Sequence, residues 1–173
     1  MGRRDQGKKI RETLLKLKDR VPGIFLRSTV MVGFPGETET DFSKLLEFIE
    51  EGFFDYLGAF AYWPEAGSPA ARLSGQIPDN IKNERLKMVL EAQREFTEKR
   101  LQEKIGSRER ILVEGLSSES DLLLQGRCDF QAPEIDGLTY ITEIEGDLNP
   151  GTIVEAEIYE AHEFDLFARV LQT

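Results

Sequence analysis

A chain of 173 residues that is 40% hydrophobic and 31% charged carries enough apolar material for one domain or two small ones, and none of its apolar runs nears the roughly 20 residues that span a bilayer. Its single cysteine, Cys128, excludes an intramolecular disulfide and any all-cysteine metal site within the monomer. The net charge of −10 is unevenly placed: Ile105 to Thr173 holds 4 Lys and Arg against 15 Asp and Glu, whereas the first 104 residues hold 18 against 17.

Met1 to Lys9 is polar and basic with no apolar stretch, so no secretory leader is expected and the cytoplasm is the expected location. Ile10, Leu14, Leu17 and Val21 fall on one helical face, which predicts a helix that Pro22-Gly23 stops. Ile24 to Val32, rich in β-branched and apolar residues, predicts a largely buried strand. A Gly/Pro loop then leads into a second amphipathic helix marked by Phe42, Leu45, Leu46 and Ile49. Thr38, with Asp41 three residues later, forms a capping-box arrangement at its start. Asp55 to Tyr62 predicts another strand, and a loop from Pro64 to Pro78 follows. Asp79 or Asn80 opens a long helix to about Lys104, with Leu86, Val89, Leu90 and Phe96 as its apolar face. Strands that run into loops feeding helices are the grammar of a parallel α/β fold. Two strands are few for such a fold, because parallel strands want both faces covered.

After Gly106 the helical period disappears. Strand-like runs appear at Arg110 to Val113, Leu122 to Cys128, Leu138 to Thr142, Thr152 to Tyr159 and Phe164 to Val170. Turn signals separate them at Gly115 to Ser118, Asp136-Gly137, Gly146-Asp147 and Asn149 to Gly151. Five short strands in this space predict a small antiparallel barrel that closes to hide its edges. The boundary falls near Ile105 to Ser107, giving an α/β region over 1–105 and an all-β domain over 106–173. The acidity of the second region repels phosphate backbones and attracts basic proteins; otherwise it serves only solubility.

Leu26 to Thr40, LRSTVMVGFPGETET, combines a strand, a tight Gly-Phe-Pro-Gly turn and a capped helix start. In parallel α/β folds such loops lie where ligands bind, and glycines let backbone approach a ligand closely. The same string also suits an ordinary strand-to-helix turn. It resembles the fifth-strand segment of radical-S-adenosylmethionine (SAM) barrels in the methylthiotransferase group. That resemblance implies SAM contacts from Arg27, Ser28 and Thr29 and an adenine wall from Gly33, Phe34, Pro35 and Gly36, with Glu37 serving the helix dipole as an alternative. Phe54 to Ala70 is similar to the family's sixth strand and its loop. There Tyr62 and Trp63 offer flat surfaces to a pocket or cap the barrel end.

From Gln102 onward the chain resembles the hinge and TRAM barrel that end these enzymes. TRAM barrels usually bind RNA, and the acidity here argues against direct phosphate contact. Gln131 to Gly137, QAPEIDG, resembles the RimO branch, and so does His162 to Phe167, although Phe167 stands where Trp is expected. In that branch the substrate is an aspartate of the basic small-subunit ribosomal protein S-twelve. Glu134, Asp136, Glu163 and Asp165 then become the expected docking residues. His162, the only histidine, is expected at an exposed strand end rather than on a metal.

The resemblance covers nearly the whole chain and implies a C-terminal portion of a radical-SAM (β/α) barrel followed by an antiparallel five-stranded TRAM β-barrel. Met1-Gly2-Arg3-Arg4 looks like an internal stretch of such enzymes. It further implies SAM and two [4Fe–4S] clusters in the full-length enzyme. One cluster is held by CxxxCxxC and cleaves SAM to a 5′-deoxyadenosyl radical that attacks the aspartate β-carbon; the second provides sulfur that another SAM methylates. The lone Cys128 cannot replace that triad, so this chain is expected to ligate no cluster, to supply no catalytic residue and to show no turnover alone. Two other readings stay open: the transfer-RNA branch, which wants a basic barrel, and a non-enzymatic binding module.

Overall fold

The first helix, α1 (Gly7–Arg20), ends ahead of Pro22-Gly23 as its sequence requires, and β1 (Arg27–Val32) follows. These elements belong to a computed structural model that describes residues 7–118, 120, 123–142 and 148–171. The chain separates into two units, Met1–Phe96 and Thr97–Thr173. The first unit continues with α2 (Glu39–Glu50), β2 (Tyr56–Ala61), a single 3-10 turn (Ala70–Arg72) and the start of α3 (Asp79–Gln102). The expected capping box is present: Asp41 N–H donates to Thr38 Oγ1 and Thr38 N–H donates to the Asp41 carboxylate, each at 3.1 Å. The Thr38 hydroxyl, which donates to the same carboxylate at 2.7 Å, and then the Thr38 N–H hold the exposed Asp41 carboxyl below its ordinary range.

β1 and β2 pair in parallel, with Arg27 beside Tyr56 and Val32 beside Ala61. Ser28, Val30 and Val32 share a face with Leu57, Ala59 and Ala61, and that face meets the helices. The core there is Leu26, Val32, Phe42, Ile49, Phe54, Leu57 and Val89. Arg27, Thr29, Gly58 and Phe60 lie on the opposite face and are exposed or half-exposed. The expectation of a largely buried strand is therefore corrected: this unit covers its sheet on one side only. The predicted face of α1 is corrected as well. Leu14 is buried, but Ile10, Leu17 and Val21 stay exposed, because two strands offer that helix only a narrow surface to cover.

α3 departs most from its predicted pattern. Its buried positions are Lys82, Arg85, Val89, Gln93, Thr97 and Leu101, whereas Leu90 is exposed. Successive steps of three and four put these six on one stripe, and four of them are polar or charged. Gln93 Nε2 donates to the Phe54 carbonyl at 3.1 Å, and the buried Asp55 carboxylate accepts the Leu26 N–H at 2.7 Å. These bonds satisfy backbone groups just ahead of the two strands.

The second unit is a closed barrel of β3 (Arg108–Leu116), β4 (Leu124–Cys128), β5 (Thr139–Thr142), β6 (Ile153–His162) and β7 (Asp165–Val170), in the order β3-β4-β5-β7-β6. Ile111, Val113, Cys128, Ile141, Ala156, Ile158, Leu166 and Ala168 point inward and fill it. An all-antiparallel barrel was expected, and one pairing corrects this: β5 and β7 run parallel, while the other four pairs are antiparallel. A closed ring of five strands cannot alternate direction throughout, so closure forces one parallel pair. The predicted strand start at Leu122 and the turn at Gly146-Asp147 lie outside the described residues, as does Met1 to Arg4. No helix among the described residues is long and apolar enough to cross a membrane.

Candidate functional site

The loop from Gly33 to Glu37 is shaped by its own glycines and by α3. Gly33 (φ 74°) and Gly36 (φ 87°) both occupy left-handed backbone. Gly33 N–H donates to Glu37 Oε2 at 3.0 Å, Glu37 N–H donates to the Phe34 carbonyl at 2.9 Å, and Gly36 N–H donates to the Gly75 carbonyl at 2.9 Å. The other Glu37 oxygen accepts from Arg85 Nη1 at 2.7 Å. Arg85 also pairs with Glu39 and lies over the Phe42 ring. The Lys82 stem covers Gly33 so closely that a Cβ at Gly33 would overlap its Cγ, and the Lys82 ammonium bonds Asp79 at 2.9 Å. The Tyr62 ring meets Phe34 edge-on at 5.2 Å, and Lys82 Nζ lies 5.7 Å from the Tyr62 centroid. Lys82 and Arg85 were not anticipated from the sequence. Their spacing gave no signal, because charged residues three apart on a helix ordinarily mark its solvated face.

The residues named from the sequence divide by strand parity. Arg27 and Thr29 lie on the exposed sheet face, with the Arg27 guanidinium 5.0 Å from the Tyr56 ring centroid. Ser28 lies on the helix-facing side, and Gly33 to Gly36 follow directly at the C-terminal end of β1. Trp63 is 73% exposed, so only Tyr62 of that aromatic pair packs inward.

At one end of the barrel the structure joins the two strings singled out from the sequence. Gln131 is buried, and its carboxamide knits the β4–β5 connection together. Its Oε1 accepts from Cys128 N–H at 2.9 Å and from Thr139 Oγ1 at 2.6 Å, and its Nε2 donates to the Gly137 carbonyl at 2.9 Å. Asp136 accepts the Ala132 N–H at 2.7 Å, and Asp165 accepts the Leu138 N–H at 2.7 Å. Glu134 and Glu163 take left-handed φ values of 62° and 48° at exposed turn positions. All four expected docking carboxylates therefore belong to two adjoining loops. Asp136 and Asp165 hold those loops in shape, and Glu134 and Glu163 sit at turn tips.

The donor set does not fit an iron–sulfur cluster. Among the described residues no three His, Cys, Asp or Glu side chains gather as metal ligands. Burial pushes the Cys128 thiol up to about 12, the reverse of what a thiolate ligand needs.

A closed five-stranded β-barrel with these loops marks a TRAM domain, and residues 105–171 match the TRAM domain family. The relation extends along the rest of the chain. The "Ribosomal protein uS12 methylthiotransferase RimO" of Geobacter sulfurreducens is 44% identical over 171 residues, which covers 99% of this chain and 38% of that protein. The protein of the same name from an Anaeromyxobacter species is 47% identical over 162 residues, covering 94% of this chain and 34% of the relative. The chain is thus similar along nearly its whole length to these RimO-type methylthiotransferases, and it spans a little over a third of their length.

Proposed function

We propose that this chain serves a methylthiotransferase of the RimO type that acts on an aspartate of ribosomal protein uS12, and that its share of the work is docking and positioning. The observation that carries this reading is an acidic barrel, joined to an α/β unit, whose whole sequence aligns with RimO proteins. A basic ribosomal protein is drawn to a domain with a balance of −11, whereas an anticodon stem-loop is repelled by it. Glu134 and Glu163 stand exposed at turn tips of the barrel end, where a partner's cations would meet them, and Asp136 and Asp165 hold the loops that present them.

In the α/β unit, Arg27, Thr29 and the backbone of Gly33, Phe34, Pro35 and Gly36 form part of the wall that holds SAM. Bound there, SAM would supply the radical source and the methyl group. The exposed sheet face and the left-handed Gly36 support this part of the reading, because both leave room for a ligand, whereas Gly33 is covered by the Lys82 stem. The two-stranded parallel sheet corresponds to two adjacent strands of a radical-SAM barrel. The iron–sulfur chemistry belongs to residues outside this chain.

Mixing the full chain with purified uS12 and, separately, with an anticodon stem-loop RNA at two ionic strengths tests the docking reading. Binding to the ribosomal protein that weakens as salt rises, with little binding to RNA, is the expected result. Preferential binding of the stem-loop would replace this reading with the transfer-RNA branch.

A further inference from the structure

On the outer face of the barrel, cross-strand register lines up a row that reaches over four strands. Gln125 of β4 pairs with Tyr140 of β5, and Tyr140 pairs with Phe167 of β7. On the far side a β-bulge in β6 shifts the register between Ile158 and Glu160, so Tyr159 is the extra residue next to the Glu160–Phe167 pair. Bulges re-aim side chains, and this one adds a ring to the row. Tyr140 and Phe167 stack at 5.2 Å between centroids, and Tyr159 and His162 lie 6.4 and 6.2 Å from Phe167. Thr142 Oγ1 donates to the Tyr159 hydroxyl at 3.2 Å and steadies that ring.

We propose that this row is the seat for an arginine side chain of a basic protein partner. The inference rests on the docking reading above and names where the partner's cation goes. Outward positions of a solvated barrel are ordinarily polar, yet here rings from three neighbouring strands gather at one level, with Tyr140 buried beneath and Phe167 and Tyr159 reaching the surface. Packing of one ring against another accounts for Tyr140 and Phe167, since cross-strand aromatic pairs stabilise a sheet. It does not account for Tyr159, which is 36% exposed. A guanidinium is planar and weakly hydrated, and it stacks on aromatic faces better than an ammonium does. Glu160 stands beside the rings to meet its charge. At present Glu160 accepts from His162 Nε2 at 3.0 Å in an exposed pair that an arriving cation can exchange at little cost. At the other end of the row the Gln125 side-chain oxygen is buried and has no hydrogen-bond partner among the described residues, so the seat lies at the Phe167–Tyr159 end. A nucleic-acid base could stack on the same rings, but its phosphates would enter the most acidic part of the chain.

The test measures binding of two synthetic peptides to the full chain at low ionic strength. One carries four arginines spaced by glycine, and the other has lysine at the same places and the same charge. The arginine peptide should bind about two- to fivefold more tightly, the range expected for an exposed cation–π contact. Phe167→Leu and Tyr159→Ser should each remove that preference and leave the lysine affinity unchanged. Equal affinity for the two peptides, or a preference that survives Phe167→Leu, overturns the arginine seat while the docking reading stands. If neither peptide binds, the docking reading itself fails. Should the variants misfold, titration of the wild-type chain still decides the matter: the His162 imidazole resonances must move with the arginine peptide, and their failure to move overturns the proposal. Tighter binding of a single-stranded RNA at the same resonances would make the row an RNA platform instead.

Discussion

Replacing Arg85 with leucine removes the guanidinium through which α3 holds the Gly33–Glu37 loop. The Arg85 side chain is 6% exposed and its partners Glu37 and Glu39 are 13% and 79% exposed, so the two arms of the bridge are unequal. The Glu39 arm lies in water and is worth about 0–1 kcal/mol. Deleting one partner of a buried pair costs about 3–5 kcal/mol, because the other charge is left unpaired. Glu37 is not fully buried and keeps the Gly33 N–H at 3.0 Å, and leucine keeps an apolar contact with Phe42, so the loss should be roughly 2–3 kcal/mol. For a unit of this size that corresponds to a melting temperature lower by roughly 10–20 °C. Urea unfolding followed by far-ultraviolet circular dichroism measures the change. Glu37→Gln should cost less, because a carboxamide oxygen still accepts from Gly33, and the double variant should show a coupling of about 1 kcal/mol or more. The Gly33 amide should also exchange with solvent faster in Arg85→Leu. A loss below about 0.5 kcal/mol, or strict additivity with Glu37→Gln, would refute the bridge as the support of this loop.

Two further outcomes concern the barrel. Cys128 lies in the core with its thiol raised from 9.0 to about 12, chiefly by burial, so iodoacetamide at pH 8 should label it slowly in the native chain and readily in urea. Because the folded value is the higher one, its contribution to stability is complete below about pH 9 and is lost as pH climbs toward 12; rapid native labelling would contradict this placement. A Cβ at Gly137 would overlap the Phe164 carbonyl oxygen, and backbone cannot yield as a side chain does. Gly137→Ala should therefore cost about 2–4 kcal/mol, whereas Gly7→Ala, with nothing within 4 Å of the new carbon, should stay within about 0.5 kcal/mol of wild type. Equal melting temperatures for the two variants would show that the Gly137 contact is not tight.

Much of the architecture was legible in the chain because it depends on bonds between near neighbours. The capping box at Thr38 and Asp41, the stop at Pro22-Gly23, the left-handed turns at Gly33 and Gly36 and the alternation in the barrel strands all act within a few residues. The likeness to RimO-type proteins, too, was legible in short strings such as VGFPGETE and QAPEIDG. Contacts from distant parts of the chain decided the rest. The polar stripe of Lys82, Arg85, Gln93 and Thr97 breaks the rule that apolar spacing marks the buried face, and it is stable only because Glu37, Asp79 and the Phe54 carbonyl receive its donors. Gln131 was legible only as the first residue of QAPEIDG; its structural role depends on the pairing of β4 with β5, which sets the Cys128 amide, the Thr139 hydroxyl and the Gly137 carbonyl around it. Ser28 parted from Arg27 and Thr29 because a pleated strand sends alternate side chains to opposite faces, and only packing decides which face meets the helices. Likewise, period-two patterning gave no hint that β5 and β7 would run parallel or that Tyr159 would bulge beside Phe167. Strand direction and register follow from closing the ring, a constraint that exists only once all five strands are present.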